Sequence, residues 1–185
     1  MSVMTQSRGS ETVSIPTLSE ILRADPQAFV EKYDDIAAIN LACAVGLPRR
    51  ETLDIAKSLK ALDAMATWIK RRTAGSWSIY ERDPALFDGS KNLFRIILMI
   101  RFLHVQFRVR YNPLRVDRTD HSYDPKDVDD HFICGILSEK RMGTCATLPV
   151  FAVAIGRRLG YLLKLVKVSR SSPLPLGRRT RTVQC

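Results

Sequence analysis

The residues best placed to do chemistry are Gly143, Thr144 and Cys145, in the run Arg141-Met142-Gly143-Thr144-Cys145. Residues 146–159 follow as an apolar, helix-patterned stretch, which puts the cysteine at the expected first turn of a helix. The unpaired N–H groups and positive dipole end of a helix stabilise a thiolate. Glycine two residues earlier would let a substrate backbone approach. A thiol nucleophile also needs a base to take its proton and a third group to orient that base. His104, His121 and His131 all precede Cys145, and no Asp or Glu follows Lys140. Of the three, His131 is the one that could serve as base, if its loop folds back over Cys145. Taken alone, Gly-x-Cys does not separate a nucleophile from a packed thiol.

The other cysteines point elsewhere. Cys43 and Cys134 lie in apolar surroundings and read as small buried hydrophobes, and Cys185 is the last residue. The four show neither paired nor metal-type spacing, so no metal and no organic cofactor is expected. The net charge of +10 raises nucleic acid as a partner, but its distribution argues against it. Residues 169–185 supply four of those charges, and the rest is spread over pairs such as Arg49-Arg50 and Arg157-Arg158. The longest apolar run, residues 96–100, lies between Arg95 and Arg101 and is too short to span a bilayer, so no membrane partner is expected. Residues 1–12 are polar and lack the apolar core of a secretory signal, which makes the cytoplasm the expected compartment.

The elements that must hold the cysteine are mostly helical. Residues 1–16 read as a disordered lead. Thr17 and Glu20 form a capping box for a short helix ending near Pro26. Helices are expected over residues 34–45 and 51–72, then an aromatic loop over 74–89. Ser90 caps a helix to about Phe107, with Ile96, Ile97, Ile100, Leu103 and Phe107 on one face and burial on several sides. Residues 117–130 form a polar connection with six aspartates, 138–143 turn into the cysteine helix, and Gly160 ends it. Residues 163–168 read as an apolar strand.

Gly143-x-Cys145, the small and apolar helix after it, Arg157-Arg158-Leu159-Gly160-Tyr161 and a following strand together resemble the core of the bacterial transglutaminase-like superfamily, whose architecture is similar to papain's. Leu162 stands where a proline is common. Segments like Arg110-Tyr111-Asn112-Pro113 and residues 131–137 add to the resemblance, which spans about residues 90–168. It implies an α+β fold: a helical region over residues 17–89, then a papain/transglutaminase-like core over 90–168, with a central helix carrying the cysteine and the first strand of an antiparallel sheet. It implies Cys145 as acyl-accepting nucleophile, its own N–H with the Gly143 and Thr144 backbone at the oxyanion, a histidine and an aspartate on later strands, and a peptide or protein amide as substrate.

Those later strands are not in this sequence. Residues 169–185 change abruptly to a Ser-, Pro- and Arg-rich tail, so the expected core is incomplete. Reading one nucleotide later through suitable codons from Ser169 gives Gln-Gly-His-Leu-Leu-Phe-Arg-Trp-Glu-Asp, a histidine-bearing strand. A frameshift is therefore the expected origin of the tail. Without histidine and aspartate after Cys145 the expected activity, cysteine acyl transfer or amide hydrolysis by ancestry, is impaired or absent. The alternative is a non-catalytic peptide- or protein-binding module on the same fold.

Overall fold

The computed structural model describes residues 15–115 and 127–166. Helices dominate, and the first four open on a side-chain cap that the sequence offers. Thr17 precedes α1 (Leu18–Arg23): its hydroxyl accepts from the Glu20 N–H at 3.2 Å, and the Glu20 carboxylate accepts from the Thr17 N–H at 2.8 Å. Asp25 opens α2 (Pro26–Lys32), an element the sequence analysis passed over. Its carboxylate accepts from the Gln27 and Ala28 N–H groups at 3.0 and 3.1 Å, and Pro26 occupies the first helical position. Asp35 and Asp54 cap α3 (Ile36–Ala42) and α4 (Ile55–Gly75), both shorter at the start than the hydrophobic pattern alone indicated.

The expected loop over 74–89 contains a further helix, α5 (Trp77–Arg82), and a 3-10 turn at Pro84–Phe87. Their aromatic rings explain the folding: Trp77, Tyr80 and Phe87 surround the buried Phe94 of α6 (Lys91–Val105), with Phe87 and Phe94 centroids 4.9 Å apart. Ser90 caps α6 as expected. Its buried face differs, however. Phe94, Leu98, Met99 and Leu103 point inward, while Ile97 and Ile100 are 42% and 46% exposed, so α6 is covered on one side and not on several.

After α6 come β1 (Arg110–Tyr111), a 3-10 turn at Pro113–Arg115, the short helices α7 (Val128–His131) and α8 (Cys134–Leu137), and β2 (Met142–Gly143). Parallel pairing of β1 with β2, Arg110 opposite Met142 and Tyr111 opposite Gly143, makes the two-stranded sheet found among the described residues. The expected antiparallel sheet after the cysteine helix is not seen there. Residues 161–166 form no regular structure, and 167–168 fall outside the described residues together with the 169–185 tail. No neighbouring strand pairs with the backbone of 161–166 among the described residues; Leu163 instead lays its side chain against Gly156, and its carbonyl accepts from Arg157 Nε at 3.2 Å. The fold is α+β in this coarse sense: helices with one small parallel sheet.

The last helix, α9 (Thr147–Arg158), lies at the centre, packed against α3, α4, α6 and α8. One hydrophobic cluster joins Ala37, Leu41, Leu62 and Ile69 of the early helices to Phe151, Ala154 and Ile155 of α9. Gly160, at φ +81°, takes the left-handed conformation that ends it. No described helix is long and apolar enough to cross a membrane. Phe151 is fully buried, so Phe151→Ala will lower unfolding free energy by about 3–5 kcal/mol, whereas Ile97→Ala on the exposed side of α6 will change it by less than about 0.5 kcal/mol. Denaturant titration of the two variants measures both.

Candidate functional site

Pro149 decides where Cys145 sits. Leu148 donates its N–H to the Thr144 carbonyl at 3.0 Å, closing one helical turn. The next bond, to the Cys145 carbonyl, would have to come from residue 149, and proline has no N–H. Regular helix therefore begins at Thr147 and not at Cys145, leaving the cysteine on a lead-in turn ahead of α9. There it is exposed, whereas Cys134 is buried and Cys43 partly buried. Burial pushes both of those thiols up; at Cys134 the neighbouring Arg50 opposes the shift. The expectation that these two act as packing residues agrees with that placement.

Gly143 and Thr144 do different work from that expected of them. Gly143 is buried, and a Cβ there would lie 2.8 Å from Ile136 Cδ1 and 2.9 Å from Thr147 Oγ1. Its lack of a side chain lets β2 close against α8 and α9 and opens no approach for a substrate. Its carbonyl accepts from the Asn112 N–H at 2.8 Å, continuing the sheet. The Thr144 N–H is taken by Thr147 Oγ1 at 2.8 Å, so it is not offered to an oxyanion. The Thr144 hydroxyl donates to the Asp130 carbonyl at 2.7 Å and accepts from the Ala146 N–H at 3.3 Å. Thr144 thus ties the lead-in turn to α7 on one side and to α9 on the other. The Cys145 N–H has no acceptor among the described residues.

Asp130 is the hub of the adjoining wall. Its carboxylate accepts from Asn112 Nδ2 at 2.9 Å and Arg115 Nε at 2.5 Å, while its carbonyl holds Thr144. Arg115 also pairs with Asp127, and Arg50 pairs with Asp129. Hydrogen bonding to Asp130, the largest influence on Arg115, pushes that guanidinium further up. In sequence this aspartate-rich stretch reads only as a polar connection. The Asp127, Asp129 and Asp130 end of it is an ion-paired wall, and the signal missed was the presence of Arg50 and Arg115 far away in sequence. Behind the wall lies a cavity of about 320 Å³, lined in part by Arg49, Arg115, Asp130, Lys140 and Met142.

The histidines are dispersed. His104 sits at the end of α6 with its Nδ1 3.1 Å from the Val109 carbonyl oxygen. His131 closes α7, one residue past the Asp130 hub, and His121 lies outside the described residues. Among the described residues no group of three or more His, Cys, Asp or Glu side chains is arranged to hold a metal ion. Comparison of the chain with protein-family models, with curated proteins and with solved structures returns no match.

Thr144 supplies a direct check on this geometry. Thr144→Val keeps the shape but removes the bonds to Asp130 and Ala146, and will cost about 1–2 kcal/mol of stability in denaturant titration. No measurable change would show that the hydroxyl does not tie α7 to the lead-in turn.

Proposed function

We propose that the chain carries a transglutaminase-like core of papain-like ancestry, with Cys145 as its acyl-accepting thiol. One observation carries this reading beyond the sequence resemblance: of the three described cysteines, the one the resemblance assigns as nucleophile is the one exposed, on a turn opening onto a buried helix. In the proposed reaction the Cys145 thiolate attacks the carbonyl carbon of an amide or ester, and the Cys145 N–H donates to the resulting oxyanion. Collapse of the tetrahedral species expels the amine or alcohol and leaves a thioester on Sγ. Water then attacks the thioester, releasing acid and restoring the thiol.

Both proton transfers need a base, and within these 185 residues no histidine, aspartate or glutamate follows the cysteine. An unassisted thiol is mostly protonated at neutral pH, and its thioester hydrolyses slowly. The proposed activity is therefore acylation with little turnover, on a peptide or protein amide. Nucleic acid, metal and organic cofactor have no part in it. The alternative, a binding module on the same scaffold, draws support from the cavity behind the Asp130 wall.

The test uses p-nitrophenyl acetate with the full chain carrying Cys185→Ser, so that the terminal thiol does not report. The expected result is release of about one equivalent of nitrophenolate, a thioester located on Cys145 by mass spectrometry, and turnover restored by added imidazole above the background of Cys145→Ala. Equal acylation of the Cys145→Ala protein would overturn the assignment.

A further inference from the structure

The outer side of α6 carries side chains that packing does not explain. At 3.6 residues per turn, Ile100, His104, Ile97, Arg101 and Val105 follow one another around an arc of about 140°, and all five are exposed. A helix packed on one face ordinarily turns charged and polar residues outward, but three of these five are β-branched aliphatics. The core contacts of α6 come from Phe94, Leu98, Met99 and Leu103, and no aliphatic of the arc joins either hydrophobic cluster.

Charge on this side is of one sign. Residues 89–116 contain no Asp or Glu. His104 Nδ1 lies 3.1 Å from the Val109 carbonyl oxygen, which brings Arg108 and Arg110, the neighbours of Val109, alongside the arc that holds Arg101. All three arginines are exposed, and none forms an ion pair with a described residue. The helices packed against α6 do not answer them: α9 has no acid, and the acid of α4, Asp63, is held by Arg158. Asp83 and Asp88 bracket the 3-10 turn at the opposite end of α6, and Glu139, ahead of β2, pairs with no described cation.

We propose that this side of α6 lies on an anionic phospholipid surface, with Ile97, Ile100 and Val105 in the boundary between headgroups and acyl chains and Arg101, Arg108 and Arg110 on lipid phosphates. A helix lying in that plane does not need the length or apolarity of a spanning one, which no described helix has. The mixing of cation and aliphatic along one arc decides among occupants. A protein groove closing over it would strip water from Arg101 amid isoleucines, a costly burial. At a lipid surface the arginine head reaches the phosphates while its stem stays among apolar groups. A second copy would set these cations against their own like. A nucleic-acid strand gains nothing from isoleucine, and the arc offers no aromatic ring for base stacking. The proposal does not depend on Cys145.

Vesicle co-sedimentation of the full chain tests this. Binding is expected on phosphatidylcholine vesicles containing about one-third phosphatidylglycerol, weakening as salt is raised and slight on phosphatidylcholine alone. At about fivefold per cation, Arg101→Gln, Arg108→Gln and Arg110→Gln combined should weaken it about a hundredfold. Ile97→Ser with Ile100→Ser keeps the charge and should weaken it about tenfold, while the melting temperature stays close to the parent's because both side chains are exposed. Vesicle binding unmoved by the isoleucine pair would show net charge alone at work and would overturn the proposal. So would equal binding to phosphatidylcholine alone, a parent dimer that the isoleucine changes split, or a short single-stranded oligonucleotide whose binding those same changes abolish.

Discussion

Burial of α9 is the constraint on which the other elements depend. Thr147, Phe151, Ala154 and Ile155 are sealed from solvent, and α3, α4, α6 and α8 all pack against this helix. Its far end is fixed as firmly. A Cβ at Gly156 would overlap Leu163, so the chain leaving the helix folds directly back over it. Arg158 grips both Asp35 carboxylate oxygens, at 2.6 and 3.3 Å, and Asp63 at 2.8 Å. Asp35 is also the cap of α3, so one carboxylate starts one helix and holds the end of another. Such partly buried, bidentate pairs are worth more as registers than as sources of stability.

A helix so fixed leaves its lead-in turn little freedom, and the turn is where the chemistry is placed. Thr144 bonds forward to Thr147 and back to the Asp130 carbonyl. Asp130 is in turn held by Asn112 and Arg115. The ion pairs of this wall are partly shielded from solvent, which strengthens them relative to surface pairs such as Lys32 with Glu20. The position of Cys145 is therefore the product of packing on one side and of charge on the other.

Local signals proved readable in the sequence, and long-range ones did not. Thr17 with Glu20, Ser90, and Gly160 marked helix ends because capping chemistry acts within three or four residues. Asp25-Pro26 carries the same kind of signal for α2, although the proline also marks the end of α1. Pro149, equally visible, dictates that regular helix starts at Thr147. The pairing of Arg110 with Met142, and of Arg50 with Asp129, joins residues far apart in sequence that no periodicity relates. The hydrophobic pattern of α6 misassigned Ile97 and Ile100 because an isoleucine-rich helix fits several facings equally well, and its neighbours choose one. The thiol itself was found by residue type and spacing; its exposure was not legible.

The central claim is that the native fold presents Cys145 to solvent while burying Cys134 and partly burying Cys43. The most direct measurement is the rate of thiol labelling at each cysteine as a function of denaturant, well below the unfolding transition. If the claim holds, Cys145 labels fast at a rate that hardly depends on denaturant, because no opening is needed, while Cys134 labels slowly and accelerates steeply as the fold loosens. Labelling of Cys145 that is slow and shares the denaturant dependence of Cys134 would contradict it.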